Sequence, residues 1–276
     1  MNSSAAKLSE PEGTMTADIK KSYADTSGGQ VHYRYLAGRG TPIVFLHQTA
    51  SSSAMYEKVM ARLEGIGPLY AFDTPGFGGS FDPQGMPTFG QYVSWVAEAI
   101  QSIRLRYFHL VGHHTGGFIA GELAARHPDR VASFSMIGAA VLDHAEREAF
   151  RQRLPAPVGP TADGGYLPAT WQYLAGLGAG PDLALHHREL VDTVRAYQGR
   201  YQIYQALWDQ DFAVQLKAVR CPILLLSSTD DVLHPYFEAA KALRPDAAVI
   251  MLKGASFQPD LDPDGVAAAL REFVTD

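Results

Sequence analysis

Cysteine is nearly absent. Cys221 stands alone, which excludes an internal disulfide framework and suits a reducing compartment. The run that follows it, Pro222-Ile223-Leu224-Leu225-Leu226, predicts a buried strand thiol rather than a reactive one. No apolar run approaches the ~20 residues of a membrane span. Residues 1–18 lack an apolar stretch of the signal-peptide kind and read as a flexible polar tail, so the expected location is cytoplasmic. Positive charge is in deficit, with 23 Lys and Arg against 29 Asp and Glu and a net charge of −6. That balance offers no electrostatic reason to bind nucleic acid or an anionic membrane. Cys-x-x-Cys is missing. The pairs His113/His114 and His186/His187 are adjacent, so on a strand or helix they do not share a face, and no metal is expected. Gly76-Phe77-Gly78-Gly79 is not a phosphate-binding fingerprint, so no cofactor is expected either.

What is present is an alternation of short apolar runs and amphipathic stretches. A hairpin is predicted from residues 20–25 and 31–36 around Gly28-Gly29. Strands follow at 42–46, 69–72, 107–111 and 131–137, separated by helices over 54–63, 88–103 and 115–126. Residues 141–215 break the pattern and hold no good strand candidate. It resumes with strands at 222–226 and 247–252 and helices at 236–243 and 263–273. Such an order predicts an α/β protein with a mostly parallel sheet and helices on both faces. Residues 19–140 and 216–276 then form the core, with 141–215 inserted as a helical cap. Ligands bind such sheets at the carboxyl ends of the strands.

The segment Leu110-Val111-Gly112-His113-His114-Thr115-Gly116-Gly117 has the strand–turn–helix form of a nucleophile elbow, with His114 at its centre. Three other blocks accompany it: Phe45-Leu46-His47-Gln48, Asp73-Thr74-Pro75-Gly76-Phe77-Gly78-Gly79-Ser80, and Ser228-Thr229-Asp230-Asp231. In this order they resemble the α/β-hydrolase fold superfamily from about residue 20 to the C-terminus. The resemblance implies a nucleophile at the elbow, an acid after the seventh strand and a histidine after the eighth. Only the acid matches, as Asp231, with Asp230 the alternative by register. Phe257 stands at the expected histidine position in Lys253-Gly254-Ala255-Ser256-Phe257-Gln258-Pro259, and the last histidine of the chain is His234. Serine and terminal histidine are missing together, so Ser-His-Asp acyl transfer is not supported.

An imidazole reaches about two or three bond lengths further than a serine hydroxyl. His114 is therefore expected to meet Asp231 and act as a general base whose tautomer the carboxylate fixes. The resemblance implies an oxyanion hole at the N–H groups of Thr49 and Thr115, with Gln48, His113 and Phe257 at the edge of the site. Two readings stay open. One is a cofactor-independent enzyme of lyase, decarboxylase, isomerase or water-activating type, acting on a small apolar or aromatic substrate. The other is a non-catalytic small-molecule binding protein with a degenerate triad. A homo-oligomer stays open as well. His47, Asp73 and His234 are expected in structural or surface roles, as are Asp143 and His144 after the sixth strand. Tyr197, Tyr201, Tyr204 and Trp208 recur at helical steps and predict one packed aromatic face, with Trp171 and Tyr173 nearby.

Overall fold

The computed structural model describes residues 18–275 except Pro155. The expected tail therefore lies, apart from Asp18, outside the described residues. A hairpin of β1 (Lys20–Asp25) and β2 (Gln30–Leu36) leads into β3 (Ile43–Leu46), α1 (Glu57–Arg62) and β4 (Leu69–Phe72). Then come α2 (Phe89–Ser102), β5 (Phe108–His113), α3 (Thr115–Arg126) and β6 (Val131–Ile137). Five helices separate β6 from the next strand: α4 (His144–Gln152), α5 (Tyr166–Gly176), α6 (Leu183–Arg195), α7 (Tyr197–Trp208) and α8 (Phe212–Ala218). The chain closes with β7 (Ile223–Ser228), α9 (Phe237–Leu243), β8 (Ala248–Leu252), α10 (Gln258–Leu261) and α11 (Pro263–Thr275). Among the described residues no helix is long and apolar enough to cross a membrane.

The eight strands form one sheet in the order β1-β2-β4-β3-β5-β6-β7-β8. β2 pairs antiparallel with both β1 and β4, and every other pairing is parallel. Side-chain alternation explains why the central strands are apolar throughout. Ile43 and Phe45 enter one core layer with Met60 of α1 and Leu270 of α11, whereas Val44 and Leu46 enter the other with Tyr92 of α2 and Ile119 of α3. Each such side chain contributes about 1.5–3 kcal/mol by leaving water. Helix α2 starts at a capping box of Thr88 and Gln91, and α4 at one of Asp143 and Glu146. Cys221 sits half-buried just before β7, where burial pushes its thiol up to about 11.

The inserted helices are fastened to the core by polar contacts. Arg195 pairs with Asp82 at 2.8 Å, and the Gln202 amide donates to the carbonyls of Pro83 and Gly85. Ser51 and Ser52 donate to Glu189 and Asp192 of α6. Helix α8 spans the expected boundary at 215/216, and its Phe212 packs edge-on against Phe118 of α3, 4.6 Å between ring centres. Of the expected aromatic stripe of α7, Trp208 is buried and Tyr204 packs against the core, while Tyr197 and Tyr201 are only partly buried. The rest of the buried face is Gly199, Gln202, Ile203, Ala206 and Leu207, and Gly199 lies against the backbone of Gly76, where no side chain fits.

Candidate active site

Strand register brings the candidate residues together. Leu46 pairs with Gly112, and Ile137 pairs with both His113 and Leu226, so β3, β5, β6 and β7 end at one edge of the sheet. His114 follows β5 with φ +44°, a left-handed conformation that an L-residue enters at a cost. The turn is held by the His114 N–H donating to the Ile137 carbonyl, and by the Phe118 N–H donating to the His114 carbonyl. Gly116 is required by space, since a Cβ there would lie 2.1 Å from the Leu46 carbonyl oxygen.

The His114 ring meets Asp231. Its Nε2 lies 3.0 Å from Oδ1 and 2.9 Å from Oδ2. An ionised carboxylate only accepts, so this network assigns the ring proton to Nε2 and leaves a lone pair on Nδ1. Nδ1 has no hydrogen-bond partner among the described residues. Asp231 also accepts from the Leu233 N–H at 2.7 Å and from the Gln258 amide at 2.5 Å. Burial alone would raise its carboxyl; the charge and hydrogen bond of His114, with His113 and the Leu233 N–H, outweigh burial and hold it at about 2. Asp230, the alternative acid, is exposed.

A neighbouring glycine makes room for the long imidazole. A Cβ on Gly138 (φ +65°) would stand 2.1 Å from Cδ2 and 2.3 Å from Nε2 of His114. Sequence reasoning missed Gly138, because its only signal is a lone glycine after a strand. Gly138→Ala is expected to displace the ring, cost about 1–3 kcal/mol of stability and remove most activity. Denaturant melts and turnover assays check this, and wild-type values in both would show that the ring does not need that space.

Gln258, also missed, corrects the reading of Phe257. The loop turns at Gly254 (φ +101°) and Ala255 (φ +48°), which moves the place against the acid one residue along. Phe257 instead packs with Leu174, Ala179 and Leu185, and lines a side recess with Gln48, Thr49 and Arg200. His113 is fully buried, 4.3 Å from the His114 ring centre, and neither of its nitrogens makes an aligned hydrogen bond. Burial, then the adjacent His114, pushes it far below the ordinary histidine value against the pull of Asp231 and the Gln258 amide.

The structure also qualifies the expectation about metals. Ligand atoms of His113, His114 and Asp231 all lie within 4.8 Å of one another, close enough to share an ion. Face alternation fails as an argument here because the positive φ of His114 swings its side chain off the strand pattern. The hydrogen-bond network favours a ring N–H on the carboxylate, since an ion would have to displace the Nε2 proton and compete with two further donors. Dialysis against a chelator is therefore expected to leave turnover unchanged. Metal-dependent activity, with stoichiometric metal in elemental analysis, would instead make these three residues ligands.

The dyad opens on a cavity of about 200 Å³ lined by His114, Gln48, Thr49 and Thr115 from the core and by Tyr173, Tyr204 and Trp208 from the inserted helices. The N–H groups of Thr49 and Thr115 donate to nothing among the described residues. The remaining candidates stand outside the cavity. His47 Nε2 accepts from the Thr74 N–H and its Nδ1 donates to the Gln48 carbonyl; burial, largest of the influences on it, lowers its basicity. Asp73 accepts from His32 and from the N–H groups of Ser53 and Gly79. Asp143 caps α4, His234 contacts Ser227 at 3.1 Å, and Trp171 stacks on His186.

Comparison with known proteins agrees with the fold. A family model described as alpha/beta hydrolase fold matches residues 41–250. A fluoroacetate dehalogenase from Burkholderia sp is 27% identical over 271 residues, covering 87% of this chain and 89% of that protein. A non-heme chloroperoxidase from Streptomyces lividans is 25% identical, covering 78% and 83%. Among solved structures, the enol-lactonase from Burkholderia xenovorans LB400 superposes with a TM-score of 0.80 at 18% identity, over 92% of this chain and all of that one.

Proposed function

Given that the chain belongs to the α/β-hydrolase fold family, we propose that it is a cofactor-independent enzyme that moves a proton on a small substrate with His114 as general base. The observation that carries this reading is the His114 Nε2 contact to the buried Asp231 carboxylate. With Nε2–H held by the acid, Nδ1 takes a proton from a carbon acid or from water. Asp231 then faces the imidazolium that forms. The N–H groups of Thr49 and Thr115 receive the oxyanion that develops on an adjacent carbonyl, as donors aimed at developing charge do in other sites. The carbanion, held as an enolate, is reprotonated in an isomerisation or expels a leaving group in an elimination or cleavage. The aromatic cavity wall supports a small apolar or aromatic substrate.

Deuterium exchange tests the proposal. Aryl ketones incubated in heavy water with the protein should exchange their α-protons faster than the uncatalysed rate, followed by NMR. Parallel reactions in 18O-labelled water separate the routes, because only water-activating hydrolysis of an aryl ester places label in the acid. Neither exchange nor hydrolysis, with tight binding of the same probes, would favour a binding protein instead.

A further inference from the structure

The inserted helices carry six arginines: Arg147, Arg151, Arg153, Arg188, Arg195 and Arg200. Four have carboxylate partners, namely Arg147 with Asp211, Arg151 with Asp209, Arg188 with Asp260, and Arg195 with Asp82. Arg153 and Arg200 have none among the described residues, and they are the two that line the His114 cavity. Among the described residues no Asp or Glu lines that cavity. Glu189, which shares the side recess with Arg200, is already paired with Arg188 and accepts from Ser51.

Each free guanidinium is held in place by an aromatic ring. Arg153 lies 4.1 Å from the Phe150 ring centre and Arg200 lies 4.6 Å from that of Tyr173. Phe150 in turn stacks on Trp208 at 5.1 Å, and Tyr204 on Trp208 at 5.9 Å. The Tyr204 phenol is kept protonated, its acidity lowered first by burial with Tyr173 adding to it, although Arg200 opposes both. Its hydroxyl donates to the Thr49 carbonyl at 3.4 Å. Arg200 thus connects through Tyr204 to the Thr49 loop that lines the cavity. A cavity with two unpaired cations, aromatic walls and no acid of its own is complementary to an anion carrying an apolar body. Guanidinium forks match the two oxygens of a carboxylate.

We propose that Arg153 and Arg200 form a carboxylate-binding subsite at the inserted-helix end of the cavity, so that the substrate is a small aromatic carboxylic acid. That it is the substrate, and not only a ligand, rests on the reading of His114 as the base. The acid group is anchored away from the reacting centre, while the carbonyl or carbon acid reaches His114 and the N–H groups of Thr49 and Thr115. Arg200, the less exposed of the two, carries the larger share of the affinity.

Isothermal titration with 3-phenylpropanoate and its neutral amide, 3-phenylpropanamide, tests the subsite without requiring turnover. The acid is expected to bind about tenfold or more tighter than the amide. Arg200→Gln and Arg153→Gln should each weaken the acid and leave the amide unchanged, the first by more. The double variant should erase the preference, and Arg200→Lys should restore part of it. His114→Ala should keep the acid-to-amide ratio, so failure of the base reading leaves the subsite standing. Equal affinity for acid and amide, no detectable binding of either, or a preference that survives in the double variant overturns the proposal.

Discussion

His114→Ala is expected to reduce turnover by about 10³-fold, within the range that a general base supplies, while the protein keeps its fold. The replacement removes the imidazole that lines the cavity and contacts Asp231. It also strips Asp231 of the partner that holds its carboxyl at about 2. Burial then dominates and the carboxyl moves up. The sign for stability follows from linkage. A carboxylate held below its ordinary 3.8 stabilises the folded protein above that pH, and the contribution is lost as pH falls through about 2. Removing the imidazole therefore costs on the order of 2 kcal/mol at neutral pH, and the difference between variant and wild type narrows in acid. Circular dichroism, urea melts at neutral and acid pH, and the deuterium-exchange rate check the three parts. An exchange rate equal to wild type in a folded variant would remove His114 from the mechanism.

Asp231→Asn has the second large effect, an expected loss of about 10³- to 10⁴-fold in kcat, the scale seen when a triad aspartate becomes asparagine. The amide is nearly isosteric with the carboxyl, so the protein should fold. It cannot stabilise an imidazolium, and its NH₂ competes with the Gln258 amide for the same direction. Nε2–H loses the carboxylate acceptor that selected its tautomer. KM should change little, because Asp231 does not line the cavity. The split between kcat and KM is the measurement. A kcat within a few-fold of wild type would mean that Asp231 does not orient the base.

The fold was legible where periodicity is strong. Ile43–Leu46, Phe108–His113 and Ile223–Ser228 are short, apolar and flanked by turn residues, and each forms a central strand. The elbow was legible too, since Gly112 and Gly116 frame the strand–turn–helix junction at His114. The packed face of α7 was legible only in part, through Tyr204 and Trp208. Four aromatic residues at helical spacing outweigh a glycine in any hydrophobicity pattern, yet close approach to Gly76 put Gly199 at the contact. Likewise, nothing local marks Arg153 and Arg200 as different from the four paired arginines around them. Whether a guanidinium has a partner depends on carboxylates from other elements.

The sequence by itself determined the order of strands and helices, the position of the elbow with His114 at its centre, and that no histidine follows His234. Local patterning suffices for these, because side-chain period and turn chemistry act over a few residues. Tertiary structure alone decided that the imidazole of His114 reaches Asp231, 117 residues away. It also decided that Gly138 clears the space, that Gln258 rather than Phe257 meets the acid, and that two arginines are left unpaired. Each of those depends on loop paths between distant strand ends, where a shift of one residue changes which side chain arrives.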